Sequence, residues 1–496
     1  MKTLPRAGSS IMVIIGGLAL FLVFASWGLI SHPSASTVIQ GSFNPSIDQS
    51  VIPVKPEPRS AVYPAGNNDT GDAVEVKYPS GYNVSDVKEL AHIVPPWVVD
   101  DLPLTDDSRE SNKLYVNSTL EASLSPLSAP KVKSESCDMY NGKWFHDSAG
   151  PLYTNNSCPI ITNSQNCQGN GRPDKDYENY RWKPTKCGLP RFDPKEFLKL
   201  MRGKTIAFIG DSVARNQMES LLCILWQVET PTNHGDSRMH DWLFKSTSTR
   251  IVRIWSAWLI HKTLEPFDFA PKDVVKLHLD SPDENFMEFL PTFDVVVISS
   301  GHWYVRKTAY IYKNEIVGGQ LWWPDKSRRK KMDNVKAFGI SVETILSAIA
   351  THPNYSGLVI VRSYSPDHYE GGSWNTGGSC TDKVKPATDA ELANNRFTND
   401  LHKKQVTGFN RAVKKQTNKS RFRYMDITKA YSYRHDGHPG PYRSRDPHKK
   451  TTRGPHGEPP PQDCLHWCMP GPVDTWNELA FEIIKRDLES AGSLPT

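Results

Sequence analysis

No cysteine precedes residue 137, and no long apolar run follows residue 30 in this chain of 496 residues. Neither sign of charge is in great excess: 59 lysines and arginines against 54 aspartates and glutamates leave +5. A nucleic-acid binder normally carries a stronger basic bias or a known reading motif, and neither is here. Collagen, coiled coil and multi-span membrane protein are excluded by composition and by the single apolar run. Apolar residues make up 38% and charged residues 23%, and there are 38 prolines. Proline therefore exceeds its usual share of about 5%, and part of the chain lacks a core. The length still leaves ample room for one, since about 150 residues per domain is the usual scale.

The apolar run covers residues 11–30, IMVIIGGLALFLVFASWGLI, without a charge. At about 1.5 Å per residue it spans ~30 Å, the thickness of a bilayer core. A cleaved signal peptide has a shorter apolar region of ~7–15 residues, so the run reads as an uncleaved anchor. Lys2 and Arg6 precede it with no acid nearby, which keeps residues 1–10 cytoplasmic and puts everything after residue 30 in a lumen. Acceptor patterns for N-glycosylation at Asn68, Asn83, Asn117, Asn155, Asn354 and Asn418 agree with that topology. So do eight cysteines, Cys137, Cys158, Cys167, Cys187, Cys223, Cys380, Cys464 and Cys468, which read as four disulfides of unspecified pairing. A zinc site is the competing reading, but Cys464 and Cys468 have no second closely spaced pair to complete four ligands.

Residues 31–133 are rich in Ser, Pro, Asp and Val and hold no sustained period, which predicts a largely disordered stem. From 134 to 496 tryptophan, tyrosine and cysteine become frequent and strand–helix alternation begins. Buried strands are expected at 204–209, 293–298, 357–362 and 423–427. Helices are expected at 213–226, 335–349, 400–415 and 475–488, the last with Asp474 as N-cap. Short apolar strands alternating with helices predict an α/β fold, a doubly wound, mainly parallel sheet covered on both faces.

Sites in such sheets form beyond the carboxyl ends of the strands. The first strand runs into GDSVARNQ at 210–217, where Gly210 permits a tight turn and Ser212 starts a helix whose free N–H groups favour an anionic intermediate. Asp463 and His466, in QDCLHWC at 462–468, are three apart and can face one point. A serine nucleophile needs such a base and such an orienting carboxylate. The plainer readings are a turn with an N-cap and a surface histidine beside a disulfide. Ser212 and Val213 N–H groups are candidate oxyanion donors, with Arg215 or Asn216 assisting. Both side chains read equally well as helix-surface pairings.

The combination of GDS after the first strand with a late Asp-x-x-His resembles the SGNH/GDSL esterase superfamily. More specifically, the segment from Cys137 to the WKP at 182–184, GDSVARNQ at 210–217 and DCLHWC at 463–468 are similar to the plant trichome birefringence-like family. GRPD at 171–174, WNTGGSC at 374–380, DGHPGPY at 436–442 and GPVDTWN at 471–477 carry the same resemblance. It implies a Golgi membrane enzyme of single-pass type II topology that transfers acetyl groups to hydroxyls of a cell-wall polysaccharide, a hemicellulose such as xyloglucan, mannan or xylan. It implies Ser212 as acetyl carrier, His466 as base and acid, and Asp463 as its orienter, with Gly210 and Asp211 forming the turn. Acetyl-CoA is the simplest donor, directly or through a delivery protein, and no metal or bound cofactor is required. A hydrolytic esterase and a non-catalytic pectin-binding protein are the rival readings.

The superfamily's Gly-x-Asn-Asp block is replaced here by SSGHWY at 299–304. Gly301, His302 and Trp303 resemble the plant family's Gly-His-Trp segment and leave the second oxyanion donor open, and His302 reads either as a substrate contact or as a satisfied histidine at a strand end. Trp303, Trp322, Trp323 and Trp374 are candidates for stacking on sugar faces, although tryptophans more often build a core. The basic run KSRRKK at 326–331 reads as a solvated loop or as a hold on an anionic donor or acidic glycan.

Overall fold

The computed structural model describes residues 137–490 apart from 237–238, 325–326, 393, 454–456 and 458. The tail, anchor and stem expected over 1–133, with Asn68, Asn83 and Asn117, lie outside the described residues. Among the described residues, no helix is long and apolar enough to cross a membrane.

The central strand β1 (Thr205–Gly210, TIAFIG) has all six residues buried. That burial is why its sequence is a continuous apolar run rather than an alternating one. Six further strands join it: β2 (Thr232–Asn233), β3 (Met239–Phe244), β4 (Thr249–Trp255), β5 (Val295–Ser299), β6 (Leu358–Arg362) and β7 (Arg421–Met425). Their order is β7-β6-β5-β1-β4-β3-β2. The pairings from β7 to β4 are parallel, and those to β3 and β2 antiparallel.

Five helices flank the sheet: α1 (Pro194–Leu200), α2 (Ser212–Trp226), α3 (Asn334–Ala350), α4 (Arg396–Val413) and α5 (Asp474–Ser490). Alternate strand residues feed two cores. Ile206, Phe208, Val295, Val297 and Ile360 pack with α1, α2 and α5. Ala207, Ile209, Val296, Ile298 and Val361 pack with α3 and α4. The sheet is therefore wound on both faces. Chain order reverses between β1 and β5, so the crevice beyond their carboxyl ends is the switch point where such sheets hold ligands.

Several features depart from the sequence reading. Helix α4 begins at Arg396 rather than near 400, because the Asn395 side chain caps the Thr398 N–H at 3.0 Å. Asp474 is the first residue of α5 and caps nothing ahead of it. Its carboxylate turns back to accept from the Gly471 N–H (3.0 Å) and from the Ser220 (2.6 Å) and Tyr153 (2.8 Å) hydroxyls. Strands β2, β3 and β4 and a second, four-stranded sheet were not expected. That sheet is ordered Glu315–Gln320, Thr308–Tyr312, Val275–Pro282, Ile260–Thr263. Three of its strands mix polar and apolar residues and are only partly covered, whereas Thr308–Tyr312 is almost wholly buried.

All eight cysteines pair, as Cys137–Cys187, Cys158–Cys223, Cys167–Cys468 and Cys380–Cys464. The last two bracket the 464–468 segment from opposite sides. A zinc reading of Cys464 and Cys468 is thereby replaced.

Candidate active site

β1 delivers Ser212 to the crevice through a turn that only glycine can make. A Cβ on Gly210 would lie 1.7 Å from the Ser299 carbonyl oxygen of β5. Asp211 then caps α2, accepting from the Val213 N–H at 3.0 Å, and Ser212 opens the helix.

Asp211 is fully buried and faces His302 Nδ1 at 3.1 Å. The other ring nitrogen of His302 meets the Ser365 carbonyl at 3.0 Å, and the ring stacks on Tyr364. Burial alone would raise the Asp211 carboxyl; the His302 ring, the Arg362 guanidinium and the Val213 N–H outweigh it and hold it below its ordinary value. Arg362 is itself buried over the Trp476 ring, and burial pushes it down to about 10. Gly301 enters this turn at φ 130°, where a Cβ would meet the Tyr364 ring at 2.8 Å.

The 462–468 segment comes in from the far end of the chain. Asp463 exchanges both backbone hydrogen bonds with Gly440. Its carboxylate accepts from the Leu465 (3.2 Å) and His466 (3.0 Å) N–H groups and from His466 Nδ1 (2.9 Å). Burial opposes ionisation of Asp463, but the His466 ring and these N–H bonds hold the carboxyl well below the usual range. With Nδ1 donating to Asp463, His466 turns an unprotonated Nε2 outward. Ser212 Oγ lies 2.7 Å from it. The His466 side chain keeps 19% of its surface open, so the pair remains reachable from solvent.

What pins this segment to α2 is Asn216, one turn past Ser212. Its Oδ1 accepts from the Trp467 N–H (2.7 Å), and its Nδ2 donates to the Trp467 carbonyl (3.2 Å). On the other side, His438 Nδ1 donates to the His466 carbonyl (2.8 Å) and its ring stacks on Trp467 at 4.2 Å. His438 Nε2 in turn meets His368 Nδ1 at 2.7 Å. Burial pushes His368 down to about 4, and His438 is pushed down too.

Ser212, Asp463, His466, Gly210, Asp211, Gly301 and His302 therefore meet at one end of the sheet. Three expectations change. The Val213 N–H is taken by Asp211 and is not free for an oxyanion. Asn216 spends both polar ends on Trp467, so it positions rather than stabilises. Arg215 Nε sits 3.6 Å from Glu219, a buried carboxylate that also accepts from Thr162 Oγ1, so the arginine pairs along its own helix. His302 has both nitrogens bonded within the protein, which is the satisfied-histidine reading.

Among the tryptophans, Trp303 packs edge-to-face with Trp255 and Trp258 beside the site. Trp374 is 37% exposed. Trp322 and Trp323 pack on Phe269 at the second sheet, with Arg328 of the basic run stacked on the same ring. Asn354 is exposed and Asn155 half-buried. The Asn418 amide already donates to the Ile349 and His352 carbonyls. The roles of His438, His368, Arg362 and Asn216 escaped sequence reading; DGHPGPY at 436–442 and GDSVARNQ at 210–217 were the signals available.

Residues 189–483 match the family described as GDSL/SGNH-like Acyl-Esterase family found in Pmr5 and Cas1p, and residues 135–188 match the PMR5 N terminal Domain. Protein trichome birefringence-like 18 of Arabidopsis thaliana is 53% identical over 99% of this chain and 97% of its own length. The chain belongs to the trichome birefringence-like family. Within that family, xyloglucan O-acetyltransferase 1 of Arabidopsis thaliana is 38% identical, over 71% of this chain and 80% of its own. Xyloglucan O-acetyltransferase 4 of Populus trichocarpa is 36% identical, over 73% and 84%. As a trichome birefringence-like protein, the chain is an α/β enzyme of the acyl-transferase and esterase type with a polysaccharide acceptor at family level.

Proposed function

We propose that this protein moves acetyl groups onto hydroxyls of a cell-wall polysaccharide, with Ser212 as carrier. The observation behind the reading is the continuous hydrogen-bonded chain from Ser212 Oγ through His466 to Asp463, in a chain related to xyloglucan O-acetyltransferases. In the first step, His466 Nε2 takes the hydroxyl proton as Ser212 Oγ attacks the acetyl carbonyl of acetyl-CoA. The carbon–sulfur bond breaks, and the thiolate leaves with the proton from His466. In the second step, a sugar hydroxyl passes its proton to Nε2 and attacks the acetyl-serine. The Ser212 oxygen–acetyl bond breaks, and Oγ recovers the proton.

Asp463 holds the imidazole tautomer and stabilises the imidazolium formed in each step. The Ser212 N–H at the start of α2 is the backbone donor left for the oxyanion. One such donor typically lowers the barrier by ~3 kcal/mol. The acceptor is a hemicellulose such as xyloglucan, mannan or xylan, and the setting is the Golgi lumen, with the 11–30 segment as a type II anchor. The four disulfides suit an oxidising compartment.

The test uses the full chain from a secretory host, acetyl-CoA and bare oligosaccharides of the three polymers, followed by mass spectrometry. A gain of one acetyl mass with the parent and none with Ser212→Ala is expected. Loss of acetyl from pre-acetylated glycans with no gain on bare ones would establish a hydrolase instead. Glycan binding indifferent to Ser212→Ala, with no mass change, would leave a binding protein.

A further inference from the structure

The turn that carries His302 continues as a 3-10 helix, His302–Val305, and ends at Arg306. At a rise of about 2 Å per residue, Arg306 starts roughly 8 Å along the chain from His302, which bonds the carboxylate next to Ser212. The Arg306 guanidinium lies 5.3 Å from the Trp303 ring centroid and 4.6 Å from that of Trp374. Trp303 is itself fixed: its carbonyl accepts from Trp258 Nε1 at 3.1 Å, and its ring is braced by Trp255 and Trp258.

Trp374 belongs to the 370–379 loop, whose next residue, Cys380, is bonded to Cys464 of the His466 segment. Gln462 tightens that join, accepting from Cys380 N–H and Ser379 Oγ. Arg306 and its two indoles thus link the turn beside Ser212 to the loop tied to the His466 segment.

Arg306 is exposed, and among the described residues no carboxylate or carbonyl meets its guanidinium. Packing pushes it below its ordinary value, and no neighbouring acid offsets this. The acid nearest along the loop, Glu370, is taken by Lys383 at 3.0 Å. Exposed Lys262 adds a second cation over Trp258 at 5.6 Å. An arginine packed over two rings presents its forked N–H edge at little conformational cost, which suits a carboxylate or a phosphate. The outer indole offers a face to a ring attached to that anion.

We propose that Arg306, packed over Trp303 and Trp374, is an anion-reading subsite beside Ser212 that takes a carboxylate or phosphate group carried by a substrate. Two substrates present this chemistry: a uronic-acid residue in the acceptor chain, or the phosphate-bearing nucleotide of the acetyl donor. The inference rests on the acyl-transfer reading in taking Ser212 as the reacting centre.

The test measures binding without turnover, in the full chain carrying Ser212→Ala, by intrinsic tryptophan fluorescence. The probes are an oligogalacturonide, a neutral xyloglucan oligosaccharide of similar length, and coenzyme A. Arg306→Gln is expected to weaken one anionic probe about tenfold or more, with the neutral glycan changing less than about twofold. Trp374→Ala, which keeps the charge, weakens the same probe several-fold, and rising salt weakens it in the arginine-bearing chain alone. Oligogalacturonide sensitivity identifies the acceptor as the source, and coenzyme A sensitivity the donor. Absence of binding by both anionic probes, or unchanged affinity for both in Arg306→Gln, overturns the proposal. Failure of the mass-spectrometric transfer assay leaves these affinities in place, so the two readings fail separately.

Discussion

Asn216 never touches the reacting atoms in this arrangement, yet it decides whether His466 is in reach of Ser212. Replacing it with alanine removes an acceptor at 2.7 Å and a donor at 3.2 Å, both aimed at the Trp467 peptide. That peptide is fully buried, and no water can easily take over the two bonds. Leaving a buried N–H and C=O unpaired costs about 1–3 kcal/mol each, so Asn216→Ala weakens the docking of the 462–468 segment by roughly 2–6 kcal/mol.

The two flanking disulfides keep the segment attached, so the fold survives while the imidazole drifts. A displacement near 1 Å in a catalytic group costs on the order of a hundredfold in rate. The expected result is a kcat for acetyl transfer reduced about 10- to 100-fold, with little change in KM and a Tm lowered by a few degrees. Asn216→Asp keeps the acceptor for the Trp467 N–H and recovers part of the rate. A folded Asn216→Ala protein with kcat within twofold of the parent would refute the reasoning.

Other residues make equally direct demands. Gly210→Ala brings a methyl to 1.7 Å from the Ser299 oxygen, so the secreted yield of folded protein collapses; a normal yield with normal Tm contradicts the turn described here. Burial raises Asp474 from its ordinary 3.8 to about 6, so the folded chain holds a proton that the unfolded chain has lost. Stability therefore falls as pH rises from about 4 through 6, and a Tm-against-pH series on Asp474→Asn should be flatter across that window. The Cys380–Cys464 bond closes a sequence separation of 84, for which chain entropy alone predicts about 4–5 kcal/mol. The Cys380→Ser, Cys464→Ser double variant should melt several degrees lower, and an unchanged melting curve speaks against a clamping role.

The sequence disclosed the parts of the fold that local pattern determines. Short apolar runs such as the one within 204–209 read as strands covered on both faces, and GDS and Asp-x-x-His each have a spacing that chemistry explains. What it hid depends on residues far apart along the chain. The partnership of Asn216 with Trp467 spans 251 positions, and that of Asp211 with His302 spans 91. No periodicity encodes either. The Val213 N–H looked free because helix N-termini usually leave such groups open, whereas here the residue before Ser212 closes it. The strands of the second sheet were missed for a different reason: most are only partly covered, and register shifts in two of the pairings break the two-residue alternation.

The Cys167–Cys468 bond joins the segment matching the PMR5 N terminal Domain to the residue two places after His466, across 301 positions. The two matched regions are therefore not interchangeable modules. The earlier one acts as a strut for the last-made part of the machinery, with Arg172 donating to the carbonyls of Asp436 and His438 from the same side. Any shortened form that begins after residue 188 would retain the three polar side chains while losing the abutment that keeps one of them aimed.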